Sequence, residues 1–109
     1  MALYTNTATL DADTTAYTTT GEVVASGYTA GGKLLAGATV AISNNVAYIT
    51  FSNPVWTAAL TARGALIYNT SQSNKSVAVL DFGSDKTSTN SFTVQMPANT
   101  STSALIRLT

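Results

Sequence analysis

Few side chains in this sequence could do chemistry. Histidine and cysteine are both absent, which removes the commonest general base, the commonest metal ligand and the thiol nucleophile. The acids are Asp11, Asp13, Glu22, Asp81 and Asp85. A carboxylate pair about 5–10 Å apart can hydrolyse a glycosidic bond, and Asp81 and Asp85 are close enough in sequence to approach each other. The plainer expectation is that Asp81 bonds Arg63 or loop amides where its strand ends. Neither Asp11-Ala-Asp13 nor Asp81–Asp85 has the acid spacing of a calcium loop, which supplies six to eight oxygens. Gly31-Gly32-Lys33 lacks the flanking spacing and following helix of a phosphate loop. Tyr4, Tyr17, Tyr28, Tyr48 and Tyr68 could line a sugar-binding surface, although such tyrosines are more often half-buried strand residues with a wet hydroxyl. The expectation is a chain with no catalytic residues, no bound metal and no cofactor.

The cations point the same way. Lys33, Arg63, Lys75, Lys86 and Arg107 are scattered along the chain, whereas phosphate neutralisation needs them clustered. Nucleic acid is not an expected partner. The opening Met1-Ala-Leu-Tyr-Thr has no basic region and no apolar run, so a signal peptide is not expected. No stretch approaches the ~20 apolar residues of a membrane helix, so a membrane is not an expected partner either.

The chain has 109 residues, the size of one domain. It is 45% hydrophobic but only 9% charged, against about 25% charged in ordinary soluble domains. Its surface must therefore be built from Thr, Ser, Asn and Ala. Five basic and five acidic residues cancel, so the self-repulsion that keeps monomers apart is missing. Such a surface enters an interface without desolvating many charges. A protein that works inside an assembly and a neutral surface domain are both compatible with this.

The elements that position these residues read as short strands. Arg63–Gly83 holds two apolar runs, Ala65–Tyr68 and Val77–Phe82, around the polar tip Asn69–Ser76. This predicts a hairpin. Runs apolar on both faces are covered on both faces, so the hairpin is expected to be central, with core on one side and the N-terminal segment or a neighbour on the other. Asn44-Asn45 predicts a second hairpin, because Asn tolerates the left-handed backbone of a two-residue turn. Its register puts Ser43 opposite Val46, Ile42 opposite Ala47, Val40 opposite Ile49 and Ala38 opposite Phe51. One face is then wholly apolar (Ala38, Val40, Ile42, Ala47, Ile49, Phe51) and the other mixed.

Further strands are expected at Thr7–Leu10, Thr57–Thr61, Phe92–Met96 and Ala104–Leu108, with turns at Gly83–Ser91 and Ala98–Thr102. Asp11–Thr15 could start a single helical turn. Residues 1–32, punctuated by Thr and Gly, read either as an ordinary domain edge or as an extended arm packing on a neighbouring subunit. The fold class predicted is all-β: a small β-sandwich or compact barrel of about seven to nine short antiparallel strands with an extended N-terminal arm.

Three strings carry a family resemblance: T-T-G-E-V-V-A-S-G-Y-T-A-G-G-K-L-L, T-A-R-G-A-L-I-Y-N and K-S-V-A-V-L-D-F-G-S-D-K-T. In order and spacing, from about Ala16 to Leu108, the chain resembles small virion structural proteins of tailed bacteriophages. The resemblance implies a non-enzymatic capsid decoration (cement) protein, made in the host bacterial cytoplasm and located on the virion. Its implied partners are the major capsid protein or other virion proteins, and copies of itself, a trimer among the options. A tail, neck or fibre component and a surface carbohydrate-binding module are the alternatives. The short chain shows no heptads or repeats of a fibre shaft. Under this resemblance the contact residues are Tyr4, Leu10 and Tyr17 on the arm, with Tyr28 and Trp56 as exposed contacts; read from its residue type, Trp56, the only tryptophan, is more often a core or edge anchor than an interface hot spot.

Overall fold

A computed structural model describes residues 1–11 and 13–97, and the backbone of 106–108. The chain is all-β, as the alternating patterns require. Its strands are β1 (Ala2–Tyr4), β2 (Thr39–Ser43), β3 (Val46–Thr50), β4 (Val55–Trp56), β5 (Thr61–Asn69), β6 (Lys75–Thr87), β7 (Phe92–Thr93) and β8 (Ile106–Leu108). The β1/β5, β5/β6, β2/β3 and β3/β8 pairs are antiparallel. β4 and β7 form a two-stranded ribbon.

Within its length the chain forms two compact units. Unit 1 comprises Met1–Lys33 and Trp56–Phe92; unit 2 comprises Leu34–Val55 and Thr93–Thr109. The physical reason lies in strand pairing. The β2/β3 hairpin takes its third strand from β8, and the β5/β6 hairpin takes its third strand from β1.

Unit 1 is built on the sheet β1-β5-β6. β5 lies in the middle, and its Ala65 and Leu66 are fully buried. Ala65 pairs with Leu80, Leu66 with Val79 and Ile67 with Ala78, so the expected hairpin is present. Its tip closes with a single 3-10 turn, Thr70–Gln72, in which the Asn69 side chain accepts the Ser71 amide at 2.9 Å.

Two details of the expected hairpin need correction. β6 runs on to Thr87 through what was expected to be loop, and it is an edge strand rather than a covered one. Val77 on it is half exposed. The pairing also skips: Ala62 faces Lys86 while Gly64 faces Asp81. A bulge around Gly83, at φ 82°, takes up the extra residues.

Residues 1–32 are packed on their own chain, as an ordinary domain edge would be. Ala2, Leu3 and Tyr4 pair with Leu66, Ala65 and Gly64. Ala2, Tyr4 and Leu66 form a buried cluster, and Ala8, Leu10, Tyr17, Tyr68 and Val79 pack against it. The N-terminal segment therefore supplies the second cover that the apolar β5 run demanded. It does so without the strand expected at Thr7–Leu10 and, among the described residues, without a helical turn. Asp11–Thr14 is a turn held by its own side chains: Asp11 Oδ1 accepts the Asp13 amide at 2.8 Å and Thr14 Oγ1 accepts the Asp11 amide at 2.9 Å. The segment returns beside its start, where the Lys33 amide donates to the Met1 carbonyl at 2.9 Å. Gly32, at φ 83°, makes that approach possible, since a side chain there would run into the Met1 carbonyl.

Unit 2 is built on the sheet β2-β3-β8. Asn44 and Asn45 both adopt positive φ, 53° and 62°, which is the turn the sequence demanded. The register is the one expected, with Ser43 opposite Val46, Ile42 opposite Ala47 and Val40 opposite Ile49. The pairing stops at Thr39 and Thr50, short of Ala38 and Phe51. Asn53 and Pro54 tie down the returning chain. Pro54 accepts the Val94 amide at 3.1 Å, and Asn53 Oδ1 accepts the Met96 amide at 2.7 Å. Of the strands expected at Thr57–Thr61 and Phe92–Met96, only Thr61 and Phe92–Thr93 are in strands. The turn expected at Ala98–Thr102 lies outside the described residues, as do Ala104 and Leu105.

Candidate functional site

Among the described residues no group of three or more acidic side chains could hold a metal ion. The polar centre of unit 1 is instead a buried knot on Glu22, itself 8% exposed. Tyr17 Oη donates to Glu22 Oε1 at 2.7 Å, and Tyr28 Oη donates to Oε2 at 2.7 Å. The Gly31 amide donates to Oε2 at 2.8 Å. Tyr28 Oη also accepts the Leu3 amide at 2.9 Å, tying the knot to β1. Tyr68 Oη donates to the Gly31 carbonyl at 2.6 Å, and its ring stacks on Tyr17 at 4.8 Å. Burial, and then the Glu22 carboxylate beside them, push the Tyr17 and Tyr28 hydroxyls well above the ordinary tyrosine range. A buried carboxylate with this many donors is satisfied rather than reactive. The knot fastens the coil of residues 17–31 to the sheet.

The five expected contact residues divide as follows. Tyr4 is 1% exposed and donates to the Thr18 carbonyl at 2.7 Å. Burial pushes its hydroxyl up to about 12. Tyr17 is half buried in the knot. Tyr28 and Trp56, exposed contacts under the resemblance, are both buried, and Trp56 is the core anchor that its residue type suggests. Their rings stack at 6.4 Å, and Trp56 meets Phe92 edge-on at 6.4 Å. They are buried because unit 1 needs them as core. The Trp56 indole N–H finds no acceptor among the described residues. Leu10 lines open space, and the buried Tyr4 forms part of the same wall.

That space is a groove along β6. One hollow of about 290 Å³ lies between the Tyr4–Leu10 segment and Arg63, Val79 and Asp81. A second, of about 500 Å³, continues past Leu10 to Thr14 and Val77. The acids there are already engaged. Asp81 Oδ1 accepts the Gly83 amide at 2.8 Å and Arg63 Nε at 3.1 Å. The amide first, and then Arg63, hold the Asp81 carboxyl below the ordinary carboxylate range. Both expected bonds of Asp81 are thus made. A carboxylate held ionised is poorly matched to general-acid work near neutrality. Asp85 accepts Asn6 Nδ2 at 3.2 Å.

Unit 2 presents a different kind of surface. Of the five basic and five acidic residues, only Arg107 lies within it. Arg107 is on β8, the edge opposite β2. On β2, Val40 is 67% exposed and Ile42 is 76% exposed. Leu34 is 86% exposed. The apolar face deduced from the Asn-Asn register therefore exists but is turned outward on β2. Sequence reasoning could place these residues on one face, but it gave no sign that the face is open. The Glu22 knot was also missed. Its signal is a lone acid in Gly21-Glu-Val-Val-Ala25, between tyrosines five residues before and six after.

No known protein family, curated protein or solved structure matches this chain.

Proposed function

We propose that this chain is a non-enzymatic structural protein of a tailed-phage virion, most specifically a capsid decoration protein that stabilises the head shell. The observation that carries the reading is the surface of unit 2: free of charge but for Arg107, with Leu34, Val40 and Ile42 exposed. Exposed apolar groups without charges mark a contact surface, because association removes them from water and strips few ions of hydration. Across many equivalent copies, weak contacts of this kind add up through multivalency. The partners on this reading are the major capsid protein, other virion proteins and copies of the chain. The resemblance of Thr19–Leu35, Thr61–Asn69 and Lys75–Thr87 supports the same assignment.

The carbohydrate-binding alternative is less favoured by the tyrosines. The hydroxyls of Tyr4, Tyr17, Tyr28 and Tyr68 all donate within the chain, which leaves Tyr48 as the remaining candidate. Quantitative mass spectrometry of purified particles tests the main reading. A copy number equal to the shell protein's, or a simple fraction of it, is expected. A few copies per particle would move the chain to the neck, tail or fibre, and its absence would overturn the virion assignment.

A further inference from the structure

We propose that β2 is a self-pairing edge: two copies of the chain join antiparallel through Thr39–Ser43, centred on Ala41, merging two three-stranded sheets into one of six strands. This inference does not rest on the virion reading.

The first observation is the bare edge. β2 ends its sheet, and its outer side has no strand partner among the described residues. Soluble proteins blunt such edges with charges, prolines or bulges. β6, the edge of unit 1, is blunted in this way. It carries Lys75, Asp81, Asp85 and Lys86 and bulges at Gly83. At Lys75 it is also bridged by Ala16. β2 reads Thr-Val-Ala-Ile-Ser and carries none of these devices.

The second observation is which backbone groups face outward. In a two-residue hairpin the residues flanking the turn form a hydrogen-bonded pair, and the pattern alternates from there. Ser43, Ala41 and Thr39 therefore bond to β3 through the register Ser43–Val46, Ala41–Tyr48 and Thr39–Thr50. Val40 and Ile42 point their N–H and C=O groups outward.

The third observation selects the occupant. Turned about a two-fold axis at Ala41, Val40 of one copy lies opposite Ile42 of the other, and Thr39 lies opposite Ser43. Every outward N–H of Val40 and Ile42 meets an outward C=O. The β-branched pairs fall on the same face, as cross-strand stabilisation requires. A hydroxyl residue meets a hydroxyl residue at each end. No charge on β2 is desolvated or opposed. The segment is thus complementary to itself in register, in polarity and in hydrogen bonding. The two-fold arrangement also closes, so pairing stops at two copies through this edge. An edge contact of this size is weak by itself and becomes well populated where copies are held close together.

Disulfide trapping in the full chain tests this, since it has no native cysteine. Ala41 faces its own copy in a non-hydrogen-bonded pair, with Cα atoms about 4.5 Å apart, within disulfide range. Under mild oxidation A41C should form covalent dimers at least about tenfold faster than S84C, an exposed control on β6. T39C should behave like S84C, because Thr39 lies opposite Ser43 rather than its own copy. Adding I42K to A41C should return trapping to the control rate, with circular dichroism confirming the fold. Trapping of A41C at the S84C rate would overturn the proposal. Equal trapping of T39C and A41C would overturn the register.

Discussion

The two units put similar residues to opposite uses. In unit 1 most large apolar side chains are inside, with Val24 and Val77 exposed, and nine of the ten charged residues belong to it. Its exposed edge is charged, bulged and partly bridged. In unit 2 a strand of the same β-branched character lies open, with a bare edge and no charge on it. A chain with this little charge could not guard both edges equally. The difference teaches that unit 1 supplies stability and unit 2 supplies surface, and variants of matched size should expose that division.

The largest effect is expected in the β1/β5 core. Leu66 is fully buried against Ala2 and Tyr4, so Leu66→Ala should cost about 2–5 kcal/mol in chemical denaturation. A loss under about 1 kcal/mol would break the comparison at once.

The Glu22 knot comes next. Glu22→Ala leaves the Tyr17 and Tyr28 hydroxyls and the Gly31 amide without their acceptor. The expected cost is about 3 kcal/mol, and Glu22→Gln, which keeps an acceptor oxygen, should lose less. Equal losses would mean that the charge itself, and not its acceptor geometry, secures residues 17–31.

Alkaline pH should reach the same region. The Tyr4 hydroxyl is pushed up to about 12 in the folded chain, from about 10 when unfolded. A group whose folded value is raised contributes fully below the unfolded value, and its contribution is lost as pH rises through the folded one. Tyr17 and Tyr28 shift in the same direction. Denaturation midpoints should therefore hold up to about pH 10 and fall beyond it, alongside tyrosinate absorbance. A fall well below pH 10 would place the weakness elsewhere.

The smallest effect belongs to unit 2. Ile42→Ala removes nearly as much side chain as Leu66→Ala, but at a position 76% exposed. Its cost in dilute solution should stay within about 0.5 kcal/mol. A core-sized loss would mean that this face is covered within the chain.

These contrasts also mark what was legible in the sequence. The β2/β3 register was, because Asn44-Asn45 fixes the turn and a period of two fixes the rest. The Arg63–Asp81 pair was, because the acid sits where an apolar run meets Gly83. Periodicity reports which residues share a face, not whether anything covers it. The all-apolar face of the β2/β3 hairpin was therefore legible, but not that Val40 and Ile42 on it are open. The Glu22 knot was hidden for another reason. Its members converge from a Thr- and Gly-rich coil without periodicity, where neither spacing nor propensity signals a long-range contact. Tyr28 and Trp56, exposed contacts under the resemblance, are core, and the core reading of the lone tryptophan is the one that holds.

Hydrogen–deuterium exchange read residue by residue at rising protein concentration tests the division between the units most directly. The account predicts that the Val40 and Ile42 amides, open in dilute solution, gain protection as concentration rises. The amides of Asp81–Thr87 on β6 should not change. Protection growing along β6 while Val40 and Ile42 stay open would contradict it, and would make the guarded edge of unit 1 the surface through which this protein makes contact.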